Sequence, residues 1–398
     1  MNIEAIRADF PMLAKGNAPI YFDNACTSLK PINVIDAINS YYYTYSGCSG
    51  RSMHHIAKKT EERFELARGN IANFVNARQE EVIFTKNTTE AINLVANSIV
   101  FQADKKNIVT TIMEHHSAYL PFYELCKRRR IELDTVHDIN SLKEWSQKIT
   151  KETALVVTHA INNTLGTGPD LKEITNLAHQ NNALILVDGA QSVPHALTNF
   201  KRNDIDFLAF SGHKMLGPTG IGCLVSKTGL MEDLNPFIVG GGTIEEAKSD
   251  KVKYLNAPHK FEGGIQNYAG AIGLSAAVDY LKKIGMGYIE AYEKRLIAET
   301  EKRASEIDNL IIYGNFEDKK SAIFTFNIKD VEPHQVTIML DKMKKICTRS
   351  GVFCAQPAME FLGAPNGAVR ASLYFYNTFE ELDIFFNCLE TVAKTLRG

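Results

Sequence analysis

The sequence predicts an α/β protein: a large domain with a mostly parallel sheet covered by helices, joined to a smaller α+β domain. Three observations carry this. Short apolar, β-branched runs alternate with amphipathic stretches through the middle of the chain. The pattern changes near Gly285, where a long charged helix leads into separated strands. A length of 398 residues also exceeds what one small core organises.

In chain order, "AKKTEERFELARGNIANFVNA" places Phe64, Ile71, Phe74 and Val75 on one helical face. "EVIFT", "NIVTTIM", "ALVVTHA", "ALILVDGA" and "DFLAFSG" read as strands buried on both faces. Between them, "TTEAINLVANSIV" and "PDLKEITNLAHQNN" have the apolar spacing of helices. Beyond Gly285, the helix "GYIEAYEKRLIAETEKRASEI" precedes the strands "SAIFTFNI" and "AVRASLYFYN". The last helix, "TFEELDIFFNCLETVAKTL", opens on Thr378 and Glu381, a capping-box pair. The expected division is a large domain over 17–285 and a small one over 286–398 that recruits 1–16.

Composition narrows the class. With 45% hydrophobic and 23% charged residues this is an ordinary soluble globular chain. A net charge of −2 offers no electrostatic reason for nucleic-acid or membrane partners. "MNIEAIRADFPMLAKG" mixes acids with apolar residues and does not read as a signal peptide. No run approaches the ~18 apolar residues of a membrane span. Seven scattered cysteines without a C-x-x-C pair point to reduced thiols and a cytoplasmic location.

One stretch needs a chemical explanation. "FSGHKMLGPTGIGCL" drives a buried strand into a small-residue turn carrying Lys214. It matches neither G-x-x-x-x-G-K-[ST] nor G-x-G-x-x-G, which weakens a nucleotide site. A buried lysine has another use, because its amine can lose a proton and form a Schiff base. Other polar groups also stand at strand ends, where open α/β sheets bind ligands. Asp188 and Gln191 follow "LILV", Thr88 and Thr89 open a helix after "IFTKN", and His115 and His116 follow "TTIME". Asn163 follows "THAIN", and Ser211 and His213 precede the lysine. Singly, each is most simply a turn, a cap or a hydrogen-bonded core residue. Together they supply what an aldehyde cofactor with a phosphate and a pyridine ring requires.

"DGAQ" followed by "DFLAFSGHKMLGPTGIG" resembles the fold-type I, class V aminotransferase family of pyridoxal 5′-phosphate (PLP) enzymes. Within it the sequence is most similar to the group II, SufS-like cysteine desulfurases. "YFDNACTSLKP", "GRSMHHIA", "FTKNTTEAINLVA", "MEHHSAYLPF", "NNTLGT", "FEGGIQNYAGAIGL", "RSGVFCAQP" and "RASLYFYNT" fall in family order across nearly the whole chain. The resemblance implies a homodimeric PLP enzyme in which Lys214 carries the cofactor as an imine. Asp188 would pair with the pyridine nitrogen, Gln191 and Asn163 approach the ring oxygen, and His115 stack on the ring. Thr88, Thr89, Ser211 and His213 would take the phosphate, and Arg370 the substrate carboxylate.

By the same resemblance, Cys354 is the thiolate that removes sulfur from L-cysteine, leaving alanine and an enzyme persulfide. A sulfur-acceptor protein or scaffold for iron–sulfur cluster or thio-cofactor synthesis would then take it. Cys354 lies in the Gly/Pro-bounded loop "TRSGVFCAQPAMEFLGAPNG", whereas Cys26, Cys223 and Cys388 read as small buried hydrophobes and Cys347 as core. Selenocysteine lyase, and a class V transaminase or epimerase, are the alternative activities.

Two departures from the family pattern stand out. The loop R-x-G-H-H-C-A is here Arg349-Ser350-Gly351-Val352-Phe353-Cys354-Ala355. The family G-T-P, whose threonine touches the phosphate of the dimer mate, is Gly264-Ile265-Gln266. Valine and phenylalanine cannot accept a proton from the thiol. They are expected to desolvate it, to anchor the loop, or to offer a patch to a partner.

Overall fold

A computed structural model describes residues 2–50 and 52–396. Met1, Arg397 and Gly398 at the ends of the expected small domain, and Arg51 of "GRSMHHIA", lie outside the described residues. The centre is a seven-stranded sheet. Its strands are β1 (Val82–Thr85), β2 (Asn107–Thr111), β3 (Glu132–Val136), β4 (Thr153–His159), β5 (Leu184–Asp188), β6 (Phe207–Ser211) and β7 (Gly222–Ser226). They lie in the order β1-β7-β6-β5-β4-β2-β3. The pairs from β6 through β3 are parallel, while β7 runs antiparallel to both β1 and β6.

Both faces of the sheet are covered, and the period of two along each strand shows it. Val156 of β4, with Ile185 and Val187 of β5, joins one apolar cluster. Leu155, Val157 and Leu186 join the other, beneath the helices Thr88–Ser98 and His116–Arg129. The helix His55–Phe74 buries Phe64 and Ile71, its cap Val75 is buried, and Phe74 is half-buried at the margin.

The five strands expected in this part of the chain are present; β3 and β7 are additional. The edge strand β3 is partly exposed, so its sequence carries no apolar run. The antiparallel β7 starts at Gly222, inside the glycine-rich stretch that reads as a turn.

After Gly285, which breaks the helices Tyr268–Ile284 and Met286–Ala304 at φ +89°, comes a four-stranded antiparallel sheet. It consists of β8 (Leu310–Tyr313), β9 (Ile323–Ile328), β10 (Arg349–Gly351) and β11 (Ala368–Ser372), in the order β8-β9-β11-β10. The last helix, Phe379–Thr395, has the Thr378/Glu381 capping box. Arg7 of the first helix, Ile3–Ala8, donates to Tyr376 O at 2.7 Å and to Glu381 Oε1 at 2.8 Å, tying the two ends of the chain together.

A short parallel pair, Ile20–Tyr21 with Ile346–Cys347, brings the "YFDNAC" segment alongside the strand that leads to Cys354. Cys347 is half-buried in this pair and is not a core residue, because the pair is too short to bury both faces.

Candidate active site

The C-terminal ends of β1, β4, β5 and β6 open onto one cavity of about 430 Å³. Its walls contain Thr88, Thr89, His115, Asn163, Asp188, Gln191, Ser211, His213, Lys214, Cys354 and Arg370. The residues to which the resemblance assigns cofactor or substrate roles thus meet in one place, whereas His116 and Ile265 do not line this cavity.

Asp188 ends β5 and accepts from Ala190 N at 2.9 Å. Burial pushes its pKa up, opposed by that amide and by the Lys214 charge. Lys214 follows β6 in a single 3-10 turn. Removal from water drives its pKa down, against the pull of Asp188, so the site favours the neutral, nucleophilic amine. His115 caps the helix His116–Arg129, its Nδ1 accepting from Ser117 N at 3.1 Å. That bond leaves the neutral ring's proton on Nε2. Burial lowers the His115 pKa to about 3, and that of His213 to about 4, so both rings are neutral near pH 7.

The helix Thr88–Ser98 begins at the cavity with Asn87 as N-cap. Thr88 N donates to Ser211 Oγ at 2.8 Å, and the two hydroxyls lie 2.6 Å apart. Glycine at 222 makes this approach possible, because a Cβ there would meet Asn87 Cα and Phe210 O at 2.7 Å each. The result is a helix N-terminus lined with hydroxyls, which suits a phosphate.

Arg370, on β11, is 2% exposed, and burial lowers its pKa to about 10. Its Nη1 donates to Asn163 O at 2.7 Å, its Nη2 lies 3.6 Å from Asp23, and the Phe353 ring packs 4.9 Å from the guanidinium. Among the described residues nothing hydrogen-bonds Arg370 Nε, Asn163 Oδ1 or Gln191 Oε1, although all three are buried. Native structures rarely leave such atoms unpaired, and their convergence on one cavity marks it as built for a polar ligand.

Phe353 and Cys354 both take left-handed backbone conformations, each with φ +54°. This reverses the chain and sends the two side chains different ways. Phe353 is buried among Met113, Leu165, Ala358 and Met359, while Cys354 is exposed at the cavity mouth. The expectation that its neighbours desolvate the thiol is therefore corrected: the phenylalanine anchors the loop and leaves the sulfur in water. Asn163 Nδ2 holds Phe353 O at 2.9 Å, and His116 N holds Cys354 O at 2.7 Å.

Cys223 and Cys388 are buried as expected. Cys26 is not: it is half-buried on the cavity wall, because Ala25 and Cys26 turn into the space beside Lys214. Asp23 and the pair Glu114–His159 also escaped the sequence reading. Asp23 receives Arg349 through bonds of 3.1 and 2.8 Å. Glu114 meets His159 Nδ1 at 2.7 Å, and His159 pairs with Asp188 across β4 and β5. The quoted segments "YFDNAC" and "MEHH" contained Asp23 and Glu114, but only the packing assigns them partners.

Fold and site together define a class of protein. The family model for class-V aminotransferases matches residues 20–385, and the chain belongs to that family. Its relatives are more specific. It is 38% identical to a "Probable cysteine desulfurase" of Pyrococcus abyssi, covering 99% of this chain and 98% of the relative. Among solved structures it resembles the apo cysteine desulfurase of Thermococcus onnurineus, with TM-score 0.93, 37% identity and 99% of each chain covered. A cysteine desulfurase of Escherichia coli in its S-sulfonic acid form follows at TM-score 0.88 and 31% identity, covering 100% of this chain and 99% of that one. Among the described residues no helix is long and apolar enough to cross a membrane.

Proposed function

We propose that this chain is a PLP-dependent cysteine desulfurase that converts L-cysteine to L-alanine and holds the released sulfur as a persulfide on Cys354. The observation that carries the reading is one cavity containing a desolvated lysine, a buried aspartate, a hydroxyl-lined helix start and an exposed loop cysteine. The unpaired donor Arg370 Nε fits an amino-acid carboxylate, the unpaired acceptors Gln191 Oε1 and Asn163 Oδ1 fit a proton-bearing group of the ligand, and the hydroxyl-lined helix start that Gly222 permits fits the phosphate of PLP.

Bound PLP supplies an electron sink for negative charge at the substrate Cα. The chain's own residues do the rest. Lys214 would hold the cofactor through its amine and, once released by substrate, would move the substrate's protons. Asp188 would pair with the pyridine nitrogen, His115 would stack on the ring, and Asn163 and Gln191 would approach the ring oxygen. Thr88, Thr89, Ser211 and His213 would take the phosphate at the helix N-terminus. Arg370 binds the substrate carboxylate. The Cys354 thiolate attacks the substrate sulfur: an S–S bond forms, the C–S bond breaks with its electron pair on carbon, and protonation yields alanine.

In this reading 17–285 forms the PLP-binding domain, and 286–398 with 1–16 forms the small domain carrying Arg370 and Cys354. The exposure of Cys354 supports transfer to an acceptor protein. Seven free cysteines fit a reducing cytoplasm, and a homodimer completes the proposal.

The test is Cys354→Ala. The variant is expected to bind PLP and to change its absorption on adding cysteine, yet to make no alanine, while selenocysteine cleavage survives in part. Wild-type alanine production by the variant would move the nucleophile elsewhere.

A further inference from the structure

Cys26 is a second thiol in the cavity, and the proposed chemistry leaves it unused. It follows the short strand Ile20–Tyr21, lines the same wall as Lys214 and Arg370, and shares the cavity with Cys354. Its sulfur is held. Arg349 Nη2 donates to Cys26 Sγ at 2.9 Å while the same guanidinium is fixed on Asp23 by bonds of 3.1 and 2.8 Å. Arg349 lies on β10, which runs directly into the Cys354 loop, so one segment carries both the nucleophile and the group that orients Cys26. Beside them stands the buried, unpaired Arg370 Nε, a donor without an acceptor. The Arg349 cation that donates to the Cys26 sulfur holds it in a fixed orientation inside the cavity. The lone-hydrophobe role filled by Cys223 and Cys388 has no such features.

Resting on the desulfurase reading, we infer that Cys26 is a second sulfur-carrying thiol that takes the terminal sulfur from the Cys354 persulfide inside the cavity. In the step, the Cys26 thiolate attacks the outer sulfur of Cys354–S–SH. A new bond forms between Cys26 Sγ and that sulfur, and the Cys354–sulfur bond breaks with its electron pair on Cys354 Sγ. One persulfide is exchanged for another, so no reductant or oxidant is consumed. The consequence is storage: the half-buried Cys26 keeps one sulfur away from solvent while the exposed Cys354 is free to react again.

The experiment loads the holoenzyme with cysteine without reductant or acceptor, counts alanine per chain, and maps persulfides by alkylation and peptide mass spectrometry. The wild type is expected to release about two alanines per chain in the burst and to carry sulfur on both the Cys26 and Cys354 peptides. Cys26→Ser halves the burst and retains sulfur on Cys354 alone, and Cys354→Ala carries sulfur on neither. Three results overturn the inference while leaving the desulfurase reading intact: a wild-type burst of about one with sulfur on Cys354 only, equal bursts in wild type and Cys26→Ser, or a Cys26–Cys354 disulfide with free sulfide. Sulfur on Cys26 in Cys354→Ala would also overturn it, since Cys26 would then attack substrate directly. No alanine and no persulfide in the wild type sinks both. The wild-type map alone decides the matter should Cys26→Ser fail to fold.

Discussion

Lys214 and Asp188 owe their opposite shifts to one cause, removal from water, which favours the uncharged form of each. In the proposed function, a cofactor with a cationic ring nitrogen would favour the charged form of Asp188, and the neutral lysine amine would be the group that reacts with it. Borohydride reduction of the holoenzyme is therefore expected to fix the phosphopyridoxyl group on Lys214. A label mapped to Lys30, whose pKa burial lowers to about 8, would overturn the assignment. Asp188→Asn tests the other half. Unit charges ~4 Å apart at an effective dielectric of ~20 interact by about 4 kcal/mol, roughly a thousandfold in rate. The variant is expected to fold, bind cofactor and lose on the order of that factor in turnover. A near-normal rate would reduce Asp188 to a turn residue.

Among the elements, the Cys354 loop shows how a departure from a family pattern is absorbed. Two successive left-handed residues that are not glycine cost about 1–3 kcal/mol each. Burying the Phe353 ring, 7% exposed, returns about 1.5–3 kcal/mol and fixes the direction in which Cys354 faces. Phe353→Ala is expected to lower stability by about 3–5 kcal/mol and to slow sulfur transfer while the cofactor stays bound. Thermal denaturation with single-turnover alanine formation checks it, and unchanged values in both would mean that the ring anchors nothing. The same scale shows what the sequence could and could not reveal. Strands β4, β5 and β6 were legible because burial on both faces demands apolar runs. β3 and β7 were not, one being a half-exposed edge and the other starting on a glycine. The cavity residues at strand ends were legible by type and position. Cys26 was not, since the arginine that gives it a role is 323 positions away.

For the whole molecule, the surface around Tyr268 asks for a partner. Tyr43 is 84% exposed, Met53 78% and Ile265 74%. Their segments converge: Ser49 Oγ donates to Tyr268 Oη at 2.9 Å, Tyr41 lies 6.1 Å from the Tyr268 ring, and Ile265 precedes the helix Tyr268–Ile284. A monomer seldom exposes so many large apolar groups in one region, and a second copy is the partner that the family resemblance implies. Sedimentation is expected to give twice the 44.4 kDa chain mass, and Tyr43→Glu with Ile265→Glu to shift the species toward one chain. Ile265 adds a sharper arm. By the family resemblance, threonine at this position touches the phosphate of the dimer mate, whereas isoleucine has no hydroxyl and would leave the phosphate to in-chain donors such as Thr88 and Ser211. Ile265→Thr is then expected to tighten PLP binding by about 0.5–1.5 kcal/mol, the net worth of one hydrogen bond. The gain should vanish in the Tyr43→Glu background once the subunits separate. A gain that survived separation would place residue 265 over its own chain's cavity, and a wild-type protein sedimenting as one chain would remove the shared site altogether.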